Sequence, residues 1–104
     1  MTSKTYIVDI DNTICATSHD NYRDSVPIYY RIEKINELYE QGNKIIYWTA
    51  RGSSSGIDWT ELTRDQLDSW GVKYHEVRLG KPSYDVWIDD KAHSDVDFFD
   101  KYDQ

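Results

Sequence analysis

Two carboxylates and a hydroxyl leave one short apolar run in the stretch Asp9-Ile10-Asp11-Asn12-Thr13, which follows Tyr6-Ile7-Val8. Residues two apart in a strand share a face, so Asp9 and Asp11 would emerge side by side if the strand ran straight on. Two carboxylates that close repel unless a cation sits between them. Mg²⁺ suits such a place, because it takes one or two carboxylates together with water and phosphate oxygens. Alone, the string reads more simply as a strand running into an Asx-rich turn.

It does not stand alone. Residues 44–48 form a second apolar run, ending in Thr49-Ala50-Arg51-Gly52, and residues 84–88 a third, ending in Asp89-Asp90 with Lys81 ahead of it. Three strand ends bearing Asp-x-Asp, Thr and Asp-Asp, with a lysine, are a set suited to phosphoryl transfer. On these residues the chain closely resembles the haloacid dehalogenase superfamily of Mg²⁺-dependent phosphohydrolases. The four motifs of that family are an Asp-x-Asp-x-Thr/Val loop, a Thr or Ser after the second strand, a Lys, and an acidic pair after the fourth. All four have matches, in that order, between Asp9 and Asp90.

The resemblance implies a division of labour that the chemistry of the residues supports. Asp9 is expected to attack phosphorus and form an aspartyl-phosphate, splitting one difficult displacement into two easier ones. Asp11 is expected to protonate the leaving oxygen and then take a proton from the attacking water. Thr49 would bind a phosphoryl oxygen and Lys81 would add a point charge to the same group. Asp89, with Asp90 directly or through water, would complete a Mg²⁺ shell with Asp9 and the Asp11 backbone carbonyl. The barrier would then fall mainly through positioning and charge stabilisation.

The elements that must hold these residues alternate between strand and helix. Pro27 suits a first helical turn, and Ile28, Ile32, Ile35 and Leu38 follow at helical spacing up to Gly42. A second helix is predicted from Asp58, with Asp58 and Glu61 as a capping box, to the stop at Gly71. Residues 74–79 read as a third strand, 84–88 as a fourth, and 94–102 as a short acidic helix with Phe98 and Phe99 inward. The fold class expected is α/β: a single Rossmann-like, three-layer domain over residues 1–104, with a mainly parallel sheet and helices on both faces. In such folds ligands bind beyond the carboxyl ends of the strands, where all the proposed catalytic residues lie.

Two features set the chain apart from larger relatives. A cap domain would enter either after the first motif or before the lysine, yet residues 14–26 are all the first point offers and the second offers almost nothing. A capless member with an open site is expected, which a second copy of the chain could cover. The connection between strands three and four is also too short for a helix, since parallel crossovers need a dozen or more residues. Either Lys81 or Lys91 could therefore be the phosphate-binding lysine.

Substrate contacts are expected from Asn12, Thr13 and Ala50 on the two motif loops and from Arg51, whose fork suits a phosphate or carboxylate. His19 and Arg23, on the polar stretch 14–26, and Lys91 join them, and His93 follows the acidic pair. His75 is assigned a structural role. Cys15 is read as a small buried hydrophobe, because no His is placed in sequence to activate it.

The 104 residues suffice for one core. Net charge is −7, which argues against general nucleic-acid affinity, since that depends on many Lys and Arg neutralising phosphates. No apolar stretch is long enough to cross a bilayer, and Met1-Thr2-Ser3-Lys4 leads into the first strand without a signal-peptide pattern. With one Cys there is no internal disulfide, and a cytoplasmic setting is expected.

Small capless relatives with Trp-Thr-Ala-Arg-Gly as second motif and Lys-Pro before the acidic pair resemble phosphatases of capsular or sugar-nucleotide biosynthesis. A sugar or polyol phosphate is thus the substrate expected. A nucleic-acid end phosphatase of similar fold is the enzymatic alternative. A signalling receiver domain shares the residue types, but places its acidic pair at the first strand and its phosphoacceptor at the third, the reverse of this chain. A non-catalytic binding module would be expected to have lost at least one motif residue.

Overall fold

The computed structural model describes residues 3–100, and its first strand, β1, is Thr5–Val8. After a turn come the two-residue strand β2 (Cys15–Ala16), a 3-10 turn at Tyr22–Asp24 and β3 (Val26–Pro27). Helix α1 (Tyr29–Glu40) leads to β4 (Lys44–Trp48), helix α2 (Thr60–Ser69) to β5 (Glu76–Arg78), and helix α3 (Asp95–Asp100) follows. The predicted end of the last helix at Tyr102 lies outside the described residues.

β1, β4 and β5 form a parallel sheet in that order, with Val8 opposite Tyr47 and Tyr47 opposite Val77. β2 and β3 make a separate antiparallel pair. The long strands are rich in β-branched and aromatic residues, which favour a pleated, half-buried surface. Alternate residues Val8, Ile45 and Tyr47 join a buried cluster with Ile32 and Ile35 of α1, Leu67 of α2 and Phe99 of α3. Ile32, Ile35 and Leu67 packing in that one cluster place both α1 and α2 on the same face of the sheet. On the opposite face Ile7 is 60% exposed and Trp48 meets Trp87 edge to face at 6.0 Å.

The α/β class and the parallel sheet agree with the sequence reading, but the predicted fourth strand does not form. Residues 84–88 are irregular, with Val86 75% and Ile88 92% exposed. Too few residues separate them from the end of β5 for a parallel crossover. The second helical layer expected over the other face of the sheet is therefore not built among the described residues. Smaller corrections concern helix starts. Pro27 pairs with Cys15 in the β2–β3 ladder instead of opening α1, at a strand end where its missing N–H costs nothing. Helix α2 opens at Thr60, and Asp58 accepts the Thr60 N–H at 2.9 Å as an Asx turn, with no capping box to Glu61.

Candidate active site

β1 stops at Val8 and the chain turns at once. The amides of Thr13 and Ile14 both donate to the Ile10 carbonyl at 3.1 and 3.0 Å, and Asn12 sits at φ 60°, a left-handed value that Asn tolerates well. The strand does not run straight on, so Asp9 and Asp11 take different partners. Asp9 accepts the Ile10 N–H at 2.8 Å and its other oxygen lies 3.6 Å from Lys81 Nζ. Asp11 turns instead to Arg51, whose Nε and Nη2 donate to its two oxygens at 3.0 and 2.8 Å. Each carboxylate has its own cation, Lys81 for Asp9 and Arg51 for Asp11.

Arg51 is the best-held side chain of the region. Besides its fork on Asp11, its Nη1 donates to Thr63 Oγ1 at 3.1 Å and Gln66 Oε1 at 2.6 Å. The Tyr22 ring lies 4.9 Å from its guanidinium carbon. A buried guanidinium must satisfy its donors, and this one places four of its five N–H groups on partners within the protein. At 2% exposure it has no surface for a ligand, so its expected role as a substrate contact is corrected to an internal clamp on Asp11.

The sequence reading missed three residues that complete this clamp. Thr63 and Gln66 are three apart on α2 and so share a face, a spacing readable in advance had a buried cation been sought. Thr17 donates to Asp11 Oδ1 at 2.7 Å from the β2–β3 segment, for which the sequence carries no signal. Arg31 was missed as well. It reaches from α1 to the Thr13 carbonyl at 3.1 Å and to Asp95 at 2.7 Å, tying the first motif loop to α3.

Of the two candidate lysines, Lys81 is the one placed beside Asp9. Its backbone N–H donates to the Thr49 carbonyl at 3.1 Å, which brings its ammonium to Asp9. Lys91 sits on an exposed loop beside Asp89. Thr49 is 1% exposed and its hydroxyl accepts the Arg51 N–H at 3.2 Å, so the phosphoryl contact expected of it is closed off in this arrangement.

The acidic pair departs furthest from expectation. Asp89 and Asp90 are exposed, and Asp89 accepts the Lys91 backbone N–H at 2.9 Å, a bond that helps hold its carboxyl below the usual range. Among the described residues no three His, Cys, Asp or Glu side chains gather closely enough to hold a metal ion. The Mg²⁺ shell expected from Asp9, Asp11, Asp89 and Asp90 is therefore not assembled, because the strand that should carry the pair is not formed. The residues present do not fit the ion.

The remaining candidates are placed as follows. Asn12 accepts the Thr17 N–H at 3.0 Å, which makes it a part of the turn. Thr13 is half-buried in that turn, and Ala50 is half-buried with its carbonyl accepting the Ser53 N–H at 2.9 Å. His19 is exposed at φ 53°, and the Arg23 guanidinium lies 5.4 Å from the centre of the Trp59 ring. His93 lies against Phe98, with ring centres 6.1 Å apart. His75 accepts the Ile45 N–H at 3.0 Å and stacks on Tyr39, a structural position. Cys15 is fully buried and burial pushes its thiol up, so it is no nucleophile.

Burial raises the Asp9 carboxyl above its ordinary range, with Lys81 and the Ile10 N–H pulling it partly back. Its side chain remains 35% exposed, whereas that of Lys81 is 12% exposed. The result is an accessible carboxylate beside a nearly buried cation, just beyond the carboxyl end of a parallel strand. That pair could attack and hold a phosphoryl group.

The fold and these residues define a small α/β protein with a carboxylate–lysine pair at the carboxyl end of its parallel sheet. No family model and no curated protein matches the chain. It is similar to a solved structure, the crystal structure of an MCSG target from Vibrio cholerae, with TM-score 0.81 and 30% identity over 91% of this chain and 86% of that one. The chain belongs to the same family as that Vibrio cholerae protein.

Proposed function

We propose that the protein hydrolyses a small phosphomonoester, with Asp9 as the nucleophile. The observation that carries this reading is the Asp9–Lys81 pair, a partly open carboxylate 3.6 Å from an ammonium at a strand end. An Asp9 oxygen would bond to phosphorus as the ester P–O bond breaks, and the leaving oxygen would take a proton from Asp11. Water would then attack phosphorus, giving its proton to Asp11 and releasing phosphate and the Asp9 carboxylate. Lys81 offsets the charge on the transferring group in both steps. Among the described residues Asp11 Oδ2 accepts one hydrogen bond, from Arg51, so one of its lone-pair directions is left for proton exchange.

With this reading goes the finer fold, a Rossmann-like, capless member of the haloacid dehalogenase superfamily, and a cytoplasmic setting. What supports it is the parallel β1–β4–β5 order with Asp9 and Thr49 directly after adjacent strands. The Mg²⁺ implied by the resemblance would require Asp89 or Asp90 beside Asp9. Among the described residues no helix is long and apolar enough to cross a membrane. Net charge −7 weighs against a nucleic-acid end as substrate.

The test is phosphate release from p-nitrophenyl phosphate and acetyl phosphate by wild type and Asp9→Asn, in EDTA and in Mg²⁺. Turnover by wild type and none by the variant is expected. Turnover that survives Asp9→Asn would end the proposal.

A further inference from the structure

The backbone of Lys81 is pinned on both sides. Its N–H donates to the Thr49 carbonyl at 3.1 Å, and its carbonyl accepts the Ser53 hydroxyl at 2.7 Å. The ammonium, however, ends a flexible four-carbon stem that neither bond orients. Its polar neighbours, an Asp9 oxygen at 3.6 Å and the Tyr84 hydroxyl at 3.4 Å, both lie beyond the usual N–H···O range of about 2.7–3.2 Å. The side chain is nevertheless only 12% exposed. A cation so nearly buried requires other attractive partners.

Those partners are aromatic ring faces. The Lys81 ammonium lies 5.1 Å from the centre of the Tyr84 ring and 5.6 Å from that of Trp87, both within the roughly 6 Å reach of a cation–π contact. The two rings meet each other edge to face at 5.1 Å, and Trp87 meets Trp48, the last residue of β4, in the same way at 6.0 Å. A chain of three aromatics therefore runs from the end of the sheet to the ammonium. Lys81, Tyr84 and Trp87 stand three residues apart in sequence, and these two rings are the least exposed of the large apolar side chains in the irregular segment 84–88.

The nature of these partners bears on the chemistry. An ammonium in full hydrogen-bond contact with Asp9 would occupy lone pairs that the carboxylate needs for attack on phosphorus. Ring faces attract the charge as a whole, so the N–H groups stay available for a phosphoryl oxygen and the Asp9 oxygen for bond formation. Resting on the phosphatase reading above, we propose that Tyr84 and Trp87 are positioning residues for Lys81. Their faces seat its ammonium 3.6 Å from Asp9, near enough to offset charge on the transferring group and too far to tie up the nucleophile.

The test measures kcat/KM for p-nitrophenyl phosphate in wild type, Tyr84→Leu, Trp87→Leu and a form carrying tetrafluorinated tryptophan at position 87 alone. Fluorination keeps the shape of the ring and withdraws negative charge from its face. Each of the three changes should lower kcat/KM by about tenfold, the scale of one desolvated cation–π contact. In a Lys81→Met background, where no ammonium is left to seat, Trp87→Leu should produce no further loss. A loss in Trp87→Leu that fluorination does not reproduce, or that persists in full in Lys81→Met, would reduce Trp87 to a packing residue and overturn the proposal. Unchanged kcat/KM in both leucine variants would overturn it as well, and each of these results leaves the phosphatase reading standing. Absence of Asp9-dependent phosphate release would overturn both.

Discussion

Two parts of the molecule carry aspartates next to apolar residues, and the fold treats them in opposite ways. Around Asp9 and Asp11 the apolar neighbours Ile10 and Ile14 are fully buried, and Asp11 receives hydrogen bonds from Thr17 and Arg51 between 2.7 and 3.0 Å. Around Asp89 the neighbouring Ile88 is 92% exposed, and the one backbone donor the carboxylate finds is two residues away. An apolar lead-in does not by itself fix a carboxylate. It is fixed when elements distant in sequence supply its donors, as β4 and α2 do for Asp11 through Arg51.

The sharpest break of this comparison is at Asp9, where function and stability should separate. Asp9→Asn should lower turnover by roughly 10⁴-fold or more, the scale of losing a covalent nucleophile. Its effect on stability has the other sign at neutral pH. Because burial raises the Asp9 carboxyl in the folded state, the stability this group contributes is fully present below its unfolded value and is lost as pH rises through the folded one. The neutral Asn escapes that loss. Melting curves between about pH 3 and pH 8 should show Asp9→Asn gaining on wild type as pH rises through the carboxylate range. Wild-type turnover should fall on the acid side of the same range, because a protonated Asp9 cannot attack. A variant that loses ground as pH rises would show that the Lys81 pairing outweighs burial.

Next in size is Arg51. Removing it leaves the Asp11 carboxylate and the Thr63 and Gln66 side chains without their shared donor, and breaking a buried pair in this way costs about 3 kcal/mol or more. For a domain of this size that is a fall of roughly 12 °C or more in melting temperature. Arg51→Lys keeps the charge but not the fork and should recover only part of the loss. A fall of less than a few degrees in Arg51→Ala would mean that the clamp contributes little.

Gly52→Ala tests the same loop through its backbone. Gly52 has φ 81°, and the added methyl would meet the Ile57 carbonyl at 2.1 Å. Strain of this kind costs about 1–3 kcal/mol, whereas Gly56, at φ 77° with open space around it, should tolerate Ala at the lower end of that range. Urea melts of the two variants give the contrast directly, and equal midpoints would refute it.

Legibility in the sequence followed the same division. β4 was readable to the residue, because Lys-Ile-Ile-Tyr-Trp is bounded by a turn on one side and Thr49 on the other. The Ile32–Ile35 stripe of α1 and the buried Cys15 were readable for the same local reason. Residues 84–88 carry as good a strand signal, yet composition does not record whether a connection can reach a neighbour. The five residues 79–83 cannot make a parallel crossover. Arg51 was visible as a cation next to Thr49, but whether its fork turns outward to a ligand or inward to Asp11 depends on Thr63 and Gln66 arriving from another element. Periodicity finds elements. It does not find the partners of a polar side chain.

The smallest effects are expected at the acidic pair, and they carry the most direct test of whether the two regions are separate. Asp89→Ala removes a carboxylate that is exposed and bound only to its own loop, so in EDTA its stability should match wild type within about 0.5 kcal/mol. Mg²⁺ is the probe that could join the regions. A ligand confined to the folded state adds RT ln(1 + [L]/Kd), roughly 2.7 kcal/mol at 100 times Kd, so a shared site would raise the melting temperature by several degrees. With the acidic pair held apart from Asp9, wild type and Asp89→Ala should respond alike to the ion. A Mg²⁺-induced rise in wild type that disappears in both Asp89→Ala and Asp9→Asn would bring the loop to the first strand in solution. It would also restore the metal shell that the open arrangement lacks.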